Sequence, residues 1–573
     1  MQQTQATCQQ DDALTLRPAS DVMRLPALGA SFAHRLSFKR TLIRALHSQK
    51  AELRLHEVAL NDEGFGHAVL VMPFHGKEYA LIAYSRPLAD AERTDRVIAT
   101  AWDASFCLFD GIPSAADVAQ LSEEVTHQEA GQYHEKVMTL SRANKSVRLF
   151  AHVVDALAEG QQPDHDKIAA IGYLMRTTAV YGNGKFGIAD RDVIKNYPGL
   201  DGPFRAEMLT VYLIREFTFL LAEHVAKARG GAEATSLHPV MRRNLGVGNS
   251  TGLGMAPFLI HHPNLLHSWI MVRETAIART RQRAALSSDE QQIYHKLADR
   301  VQAHLEQWQV DDAGYHSIIA QLRKEWTALR SVLDDHLASS YPFEALFTYA
   351  STRGDDFTAL MASFIMEYQS EICDGLEDCM TQARAPLLEP AMTMSQLHKI
   401  IQQHYQWALA IDISKSEARQ QFWYVSEEKL EPRLGDATKE AGQDKEMPFA
   451  IAHYIADLLT QMDSLGSDAT VAELLLRYPQ SRFIVRRLQN TAHFPYAEIA
   501  GNLVGAECRP IDLLRCKLSF FGASKFDPRS DRWTRITMFQ GAPSAAELSD
   551  PQADDWAFWV VAPPALSSPS EMA

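Results

Sequence analysis

The spacing of apolar residues along the chain predicts a short helix and a β-meander near the start. From Phe32 to Gln49 apolar residues recur every three or four positions among basic ones, which is typical of an amphipathic helix. Glycine-containing turns then separate three β-rich stretches, which favours antiparallel strands, at 54–60, 66–74 and 78–86. A further stretch at 96–111 adds one or two strands. These elements predict a small α+β unit over residues 31–115.

Helical periodicity dominates from Pro113 to about Gly466. The segment 203–229 is apolar on most faces, which places it at the centre of a bundle. The loops between the predicted helices are mostly short, as in antiparallel packing. The predicted helices cover residues 134–159, 165–179, 203–229, 256–284, 288–309, 314–338, 355–384, 394–424, 446–463 and 469–477.

The predicted fold class is therefore mainly α, within the α+β group. A central multi-helix bundle is accompanied by a small antiparallel or mixed sheet from the N-terminal region, which C-terminal strands at 533–540 and 556–563 can complete. The predicted organisation is an irregular N-terminal tail, the small α+β unit, a helical bundle, and an irregular mixed C-terminal region that packs on the rest. Their boundaries are 1–30, 31–115, 116–466 and 467–573.

Composition and charge disfavour several classes of protein. Hydrophobic residues make up 46% of the 573 residues, which is enough apolar material to exclude disorder as the main state. The net charge of -15 opposes a general affinity for nucleic acid or anionic membranes. The six cysteines are scattered without a C-x-x-C spacing, and no metal site is predicted. The apolar runs are too short to span a bilayer and the N-terminus lacks signal-peptide features, so we predict a cytoplasmic protein.

The segment 244–258, NLGVGNSTGLGMAPF, is the most unusual local sequence. It combines four glycines with polar residues just before a predicted long helix. Glycines allow backbone N–H groups to approach an anion, and a helix start adds unpaired donors. We therefore predict that Gly248, Asn249, Ser250 and Thr251 bind an anion. The alternative interpretation is a helix–helix connection whose glycines permit tight packing.

Cations for the same ligand are predicted from two other segments. In RTTAVYGNGKFG (176–187), Arg176 and Lys185 flank an Asn-Gly turn at the end of a predicted helix. On the predicted helix 134–159, Arg142 and Lys145 are i,i+3 neighbours and share a face. The alternatives are a helix cap carrying a solvated lysine and an ordinary solvated helix face.

Candidates for proton transfer lie in the C-terminal third. Glu427 and Glu428 follow three aromatic residues in FWYVSEEKLEPR (422–433), and an aromatic wall can raise the pKa of a carboxyl group. The same run is also common at an exposed helix end. His493 is a third catalytic candidate, because histidine titrates near neutral pH.

These features favour an enzyme that acts on a small anionic metabolite, a carboxylate or a phosphate, by general acid/base chemistry of the lyase or isomerase type. The alternative is a non-catalytic ligand-binding or protein-interaction protein. The expected partner is a small anionic molecule, without nucleic acid or membrane, and a homo-oligomer is left open. The sequence identifies no cofactor. The enzyme hypothesis expects the loops at 182–187, 246–254 and 426–433 to converge on one pocket.

Overall fold

The structure, a computed structural model, divides the chain into two compact units. The sheet unit comprises residues 32–252, 520–528 and 534–573, and the helical unit comprises residues 1–31, 253–519 and 529–533. Residues 116–252, which the sequence assigns to a helical bundle, therefore fall in the sheet unit. The residues described by the structure are 14–87, 102–127, 134–182, 196–202, 204–249, 263–308, 313–380, 386–412, 422–425, 432–435, 447–449, 451–500, 510–523, 525–528 and 534–553.

A nine-stranded mixed sheet forms the frame of the sheet unit. Its strand order is β1-β2-β3-β4-β5-β6-β7-β12-β11, and every neighbouring pair is antiparallel except the parallel pair β6–β7. The strands are β1 (Arg54–Leu60), β2 (Gly66–Phe74), β3 (Lys77–Pro87), β4 (Trp102–Asp110), β5 (Val137–Lys145), β6 (Tyr173–Gly182), β7 (Gly246–Asn249), β11 (Lys525–Pro528) and β12 (Thr534–Met538).

The predicted fold class was wrong, because this sheet is not small. Residues 134–159 were predicted as one helix but form β5 followed by a helix, and much of 165–179 is β6. Residues of β5 are buried on both faces, and its polar residues do not follow a period of two; they are Thr139, Ser141, Arg142, Asn144 and Lys145. The C-terminal strand β12 does add to the sheet, through its pairing with β7, while residues 556–563 lie outside the described residues.

Helices cover both faces of the sheet. The hydrophobic cluster on one face includes Val118, Leu121 and Val125 of the helix α4 (Ala115–His127), packed against strands β2–β5. The helices of the sheet unit are α3 (Phe38–Ser48), α4 (Ala115–His127), α5 (Phe150–Ala158), α6 (His165–Ile171), α7 (Arg205–Gly230) and α8 (Pro239–Arg243), with 3-10 turns at Pro198–Leu200, Gly231–Glu233 and Ala545–Glu547.

The long helix α7 packs on the opposite face of the sheet. The Phe217 ring meets the Phe106 ring edge to face at a centroid distance of 5.5 Å. The Thr210 hydroxyl lies 2.6 Å from that of Thr139 on β5. The sequence placed this apolar helix at the centre of a helical bundle, whereas it is the central helix of an α/β layer. A sheet and a bundle bury a helix in the same way, so periodicity alone does not distinguish them.

The helical unit is built mainly from helices, together with a three-stranded antiparallel sheet. The strands are β8 (Phe422–Val425), β9 (Pro432–Gly435) and β10 (Met447–Phe449), in the order β10-β8-β9. The helices are α1 (Ala19–Val22), α2 (Leu25–Leu28), α9 (Pro263–Arg281), α10 (Ser288–Gln307), α11 (Ala313–Arg330), α12 (Leu333–Ala338), α13 (Pro342–Ser351), α14 (Asp355–Met366), α15 (Ser370–Cys373), α16 (Met394–His404), α17 (Gln406–Leu409), α18 (Ile451–Asp463), α19 (Val471–Arg477) and α20 (Arg482–His493), with 3-10 turns at Asp374–Cys379 and Pro479–Ser481. A further helix is α21 (Pro510–Phe521).

Local sequence explains where several of these helices begin. Helices α10, α16 and α19 each start with a capping box, in which a Ser or Thr side chain and the Glu or Gln three residues later bind each other's backbone N–H groups. Within the described residues, no helix combines the length and apolarity needed to cross a membrane.

A buried ion cluster joins the N-terminal segment to α9 within the helical unit. The carboxylate of Glu274, whose side chain is 1% exposed, accepts bonds from Nε and Nη2 of Arg17 at 2.7 and 2.9 Å. It also accepts from Nε of Arg273 at 3.1 Å. The tyrosine hydroxyl of Tyr496 donates to the Arg17 carbonyl at 2.6 Å. Residues 14–30, predicted as part of an irregular tail, are thus held by specific contacts in this unit.

Candidate functional site

A line of paired positions, most of them polar, crosses six neighbouring strands of the large sheet. Arg86 pairs with Asp103, and the pairing of Ala104 with Ala143 places Asp103 level with Asn144. The same level continues through the pairs Asn144–Arg176, Arg176–Gly248 and Gly248–Thr537. We call this set the polar row; its members are Arg86, Asp103, Asn144, Arg176, Gly248 and Thr537.

The side chains of the polar row share one face of the sheet, because directly paired residues of neighbouring strands point to the same side. Arg142 stands two positions before Asn144 on β5 and therefore points to that face as well. Lys145 is one position after Asn144 and points to the opposite face. The predicted i,i+3 relation of Arg142 and Lys145 on a helix was wrong, because an odd separation on a strand places two side chains on opposite faces.

Asp103 holds the guanidinium of Arg142 at this face. Its Oδ2 accepts bonds from Nε and Nη2 of Arg142 at 3.0 and 2.5 Å. The side chain of Asp103 is 2% exposed and that of Arg142 is 24% exposed, so the arginine reaches solvent while the aspartate does not. Burial raises the pKa of the Asp103 carboxyl, and the nearby Arg142 and Arg86 oppose that shift. Asp103 is therefore a positioning residue for Arg142.

A buried hydroxyl lies beside this ion pair. Ser105 pairs with Arg142 on β5 and with Tyr84 on β3, so its side chain points to the face of the polar row. Ser105 is 1% exposed, and within the described part of the chain its Oγ has no hydrogen-bond partner. A buried hydroxyl without a partner is unfavourable unless a water or ligand atom satisfies it.

Gly248 provides room for an aromatic ring. A Cβ atom at this position would lie 2.9 Å from three atoms of the Tyr173 ring, closer than ordinary contact. The ring of Tyr173, a residue 3% exposed, thus lies directly against Gly248 and next to Arg176 in the polar row. The ring forms an apolar wall beside Arg176. Its close contact with Gly248 explains why this position has no side chain.

We predict that Gly248→Val destabilises the sheet unit by about 2 kcal/mol or more, because the new side chain overlaps the Tyr173 ring in a tightly packed site. Urea unfolding of the variant measures this effect. The matched control is Gly76→Val, which meets no atom within 4 Å but sits at a φ of +74°, so its cost is backbone strain alone. A Gly248→Val protein as stable as the parent would contradict the assigned packing.

Strands β6 and β7 have their carboxyl ends on the same side of the sheet. The two strands are parallel and are connected through α7. In open α/β sheets, ligands bind outside the carboxyl ends of parallel strands. Thr177 pairs with Asn249, so β6 extends five residues (182 − 177) beyond the end of β7. Lys185, Ser250 and Thr251 lie outside the described residues, and Asn249 is described only as the last residue of β7.

The other predicted site residues do not belong to the polar row as described. Lys145 lies over the Phe150 ring at 4.8 Å, and burial, together with Arg229, lowers its pKa to about 8. His493 ends α20 in the helical unit, where its Nε2 lies 2.9 Å from a Glu389 oxygen. Glu427 and Glu428 lie outside the described residues. The structure therefore brings Arg142, Arg176 and Gly248 together among the predicted residues.

Sequence reasoning missed Arg86, Asp103 and Ser105. Asp103 and Ser105 alternate with apolar residues in WDASF (102–106), which is the signal that both side chains point to one face of a strand. Their connection to Arg142 depends on pairing across 39 residues of sequence, which no local pattern predicts.

No protein-family model matches the chain, and neither the curated proteins nor the solved structures include one with significant similarity to it. Across the described residues there is no group of three or more His, Cys, Asp or Glu side chains that is arranged to hold a metal ion.

Proposed function

We propose that the sheet unit binds a small anionic molecule, a carboxylate or a phosphate, at Arg142 and Arg176. The observation that carries this proposal is the shared face of the sheet, on which Arg176 of the polar row and Arg142 of the neighbouring strand β5 both lie. Guanidinium groups are permanently charged and suit the oxygens of a carboxylate or phosphate, and the two here are held on one rigid sheet.

Three further features support the proposal. Asp103 fixes the orientation of Arg142, which lowers the entropy lost when a ligand binds. The ring of Tyr173 supplies an apolar wall, and the hydroxyl of Ser105 is a hydrogen-bonding group without a partner in the described structure. A few convergent polar groups beside an aromatic surface are typical of small-molecule sites.

Catalysis by general acid/base chemistry on the bound anion stays a prediction. The acid/base candidates Glu427 and Glu428 lie outside the described residues, and His493 belongs to the helical unit. An enzyme that acts on the bound anion by general acid/base chemistry, and a non-catalytic binding protein, would both need the anion site proposed here.

The test is isothermal titration of the full chain with inorganic phosphate and with acetate. We expect Arg176→Met to weaken binding of the better of these two anions at least about tenfold, because one of the two guanidinium groups is removed. The matched control is Arg54→Met on β1, which removes an exposed arginine of the same sheet that pairs with Glu78. This control should bind as the parent does.

Two results would contradict the proposal. One is an Arg176→Met protein that keeps its unliganded melting temperature and binds the anion as tightly as the parent. The other is a parent protein that binds neither anion at millimolar concentration.

A further inference from the structure

Strand β1 (Arg54–Leu60) is an open edge of the large sheet. Among the described strands it pairs with β2 alone, and every residue of β1 except the last is exposed. The apolar residues Leu55 and Val58 are 55% and 40% exposed. An edge strand presents unpaired backbone N–H and C=O groups, to which another strand can add. The opposite edge is less suited to pairing, because β11 has four residues and carries Lys525 and Pro528.

The ladder between β1 and β2 determines which backbone groups of β1 point outward. In an antiparallel pair, residues that bond the partner strand alternate with residues whose N–H and C=O groups point away from it. The Asn61 N–H donates to the Phe65 carbonyl at 2.8 Å, so the backbone directly after β1 faces β2. By alternation the backbone of Ala59 faces β2 as well, while Val58 and Leu60 direct their N–H and C=O groups outward. The part of the chain that the structure describes contains no partner for these outward groups.

A second copy of β1 fits this edge. When a two-fold axis passes beside Ala59, two antiparallel β1 strands place Val58 of each copy opposite Leu60 of the other. Both residues direct their backbone groups outward, so each such pair exchanges two N–H···O bonds. Val58 and Leu60 are two positions apart and point to the same face, so their apolar side chains meet those of the other copy there. The β-bulge between Leu55 and Glu57 lies outside this pairing.

The charges that flank the paired stretch are complementary in the same register. The start of β1 carries Arg54 and His56, and the turn that follows β1 carries the exposed acidic residues Asp62 and Glu63. Because the two strands are antiparallel, the start of one β1 runs alongside the turn of the other. Basic and acidic side chains are thus neighbours across the interface, which favours a second copy as the occupant of this edge.

We propose that the chain forms a two-fold symmetric dimer in which the two β1 strands pair and join the two large sheets. This pairing uses the same edge in both copies and is therefore closed. Pairing of β1 with β11 would be head to tail and would leave one edge open at each end. The interface contains no residue of the polar row, so the dimer does not depend on the proposed anion site.

Sedimentation velocity of the full chain between about 1 and about 100 µM measures the association. We expect the parent to convert from monomer to dimer as its concentration rises. Val58→Pro should weaken this association at least about tenfold, because proline removes an outward N–H that the other copy needs. The N–H of Val58 is not part of the ladder with β2, so the variant should keep the melting temperature of the parent. The matched control is Val58→Thr, which keeps the N–H and the β-branched shape and should still form the dimer.

Amide hydrogen exchange of the parent locates the interface independently of any variant. The amides of Val58 and Leu60 should exchange more slowly in concentrated than in dilute protein, since pairing protects them. A parent that stays monomeric at about 100 µM would overturn the proposal. A Val58→Pro protein with the parent's melting temperature and the parent's dimer affinity would also overturn it. So would a dimer in which the exchange of these two amides does not change with concentration.

Discussion

Arg215→Met is expected to destabilise the sheet unit by about 3–5 kcal/mol, because it leaves the buried carboxylate of Glu216, 3.7 Å from Nη1 of Arg215, without its cation. Arg215 is completely buried on α7, and its guanidinium donates to four backbone carbonyls. Nε donates to Leu245 at 2.7 Å and Nη1 to Pro543 at 2.8 Å. Nη2 donates to Arg242 at 3.0 Å and to Ala542 at 2.8 Å.

These four carbonyls explain why the effect should be large. Leu245 immediately precedes β7, and Ala542 and Pro543 follow β12, so one side chain ties together the segments that flank two paired strands. Without the guanidinium, the four buried acceptors lose their partner, at a cost of about 1–3 kcal/mol for each that water cannot reach. Arg215→Lys should also destabilise, because one ammonium group cannot replace the fork.

The loss of stability is measured by urea unfolding and by hydrogen exchange of the backbone amides of β7 and β12. The control is Arg229→Met near the end of the same helix, where the ion pair with Asp155 is more than half exposed on both sides. That control should change the free energy of unfolding by less than about 1 kcal/mol. An Arg215→Met protein with the urea midpoint of the control would contradict the role assigned to Arg215.

Glu274→Gln should lower the free energy of unfolding of the helical unit by about 3–5 kcal/mol. The substitution leaves Arg17 and Arg273 without their shared negative partner, and the side chain of Arg273 is only 4% exposed. The matched control is Glu344→Gln. Glu344 accepts two bonds from Arg281 in the same bidentate way, but its side chain is 43% exposed. The control should lose no more than about 1 kcal/mol. Equal losses in the two variants would contradict the importance of burial.

The ion cluster around Glu274 should make the stability of the helical unit depend on pH. Burial raises the pKa of Glu274, but Arg17 and Arg273 together lower it more, so the folded value lies below the usual range. A carboxyl group whose pKa is depressed by folding stabilises the protein above its unfolded pKa of about 4.3 and loses that contribution as pH falls further. Acid unfolding below about pH 4 should therefore be less steep in Glu274→Gln than in the parent.

Local patterns predicted the elements whose residues contact near neighbours in sequence. The meander at 54–86 corresponds to β1–β3, and the predicted helix 203–229 corresponds to α7 (Arg205–Gly230). The strand β5 was mistaken for part of a helix because it is buried on both faces and its polar residues do not alternate along it. Whether this segment and β6 form strands or helices is decided by pairing with distant strands, which the local sequence does not show.

The candidate site was only partly predictable for the same reason. Arg142 and Arg176 were selected as cations, but on helices, and the strand register that aligns Arg176 with Asn144 emerged only in the structure. Gly248 was selected as part of an anion loop, which stays a prediction, and its contact with the Tyr173 ring emerged only in the structure. Asp103, which positions Arg142, lies 39 residues away in sequence.

The location of a bound anion tests the proposed site most directly. Crystals of the full chain grown with arsenate, a heavier analogue of phosphate, would show it by anomalous diffraction. We expect an anomalous peak within hydrogen-bonding distance of the guanidinium groups of both Arg142 and Arg176, on the face of the sheet that carries Asp103 and Ser105. A protein that binds arsenate in solution but shows its anomalous peak away from both arginines would contradict the proposed anion site.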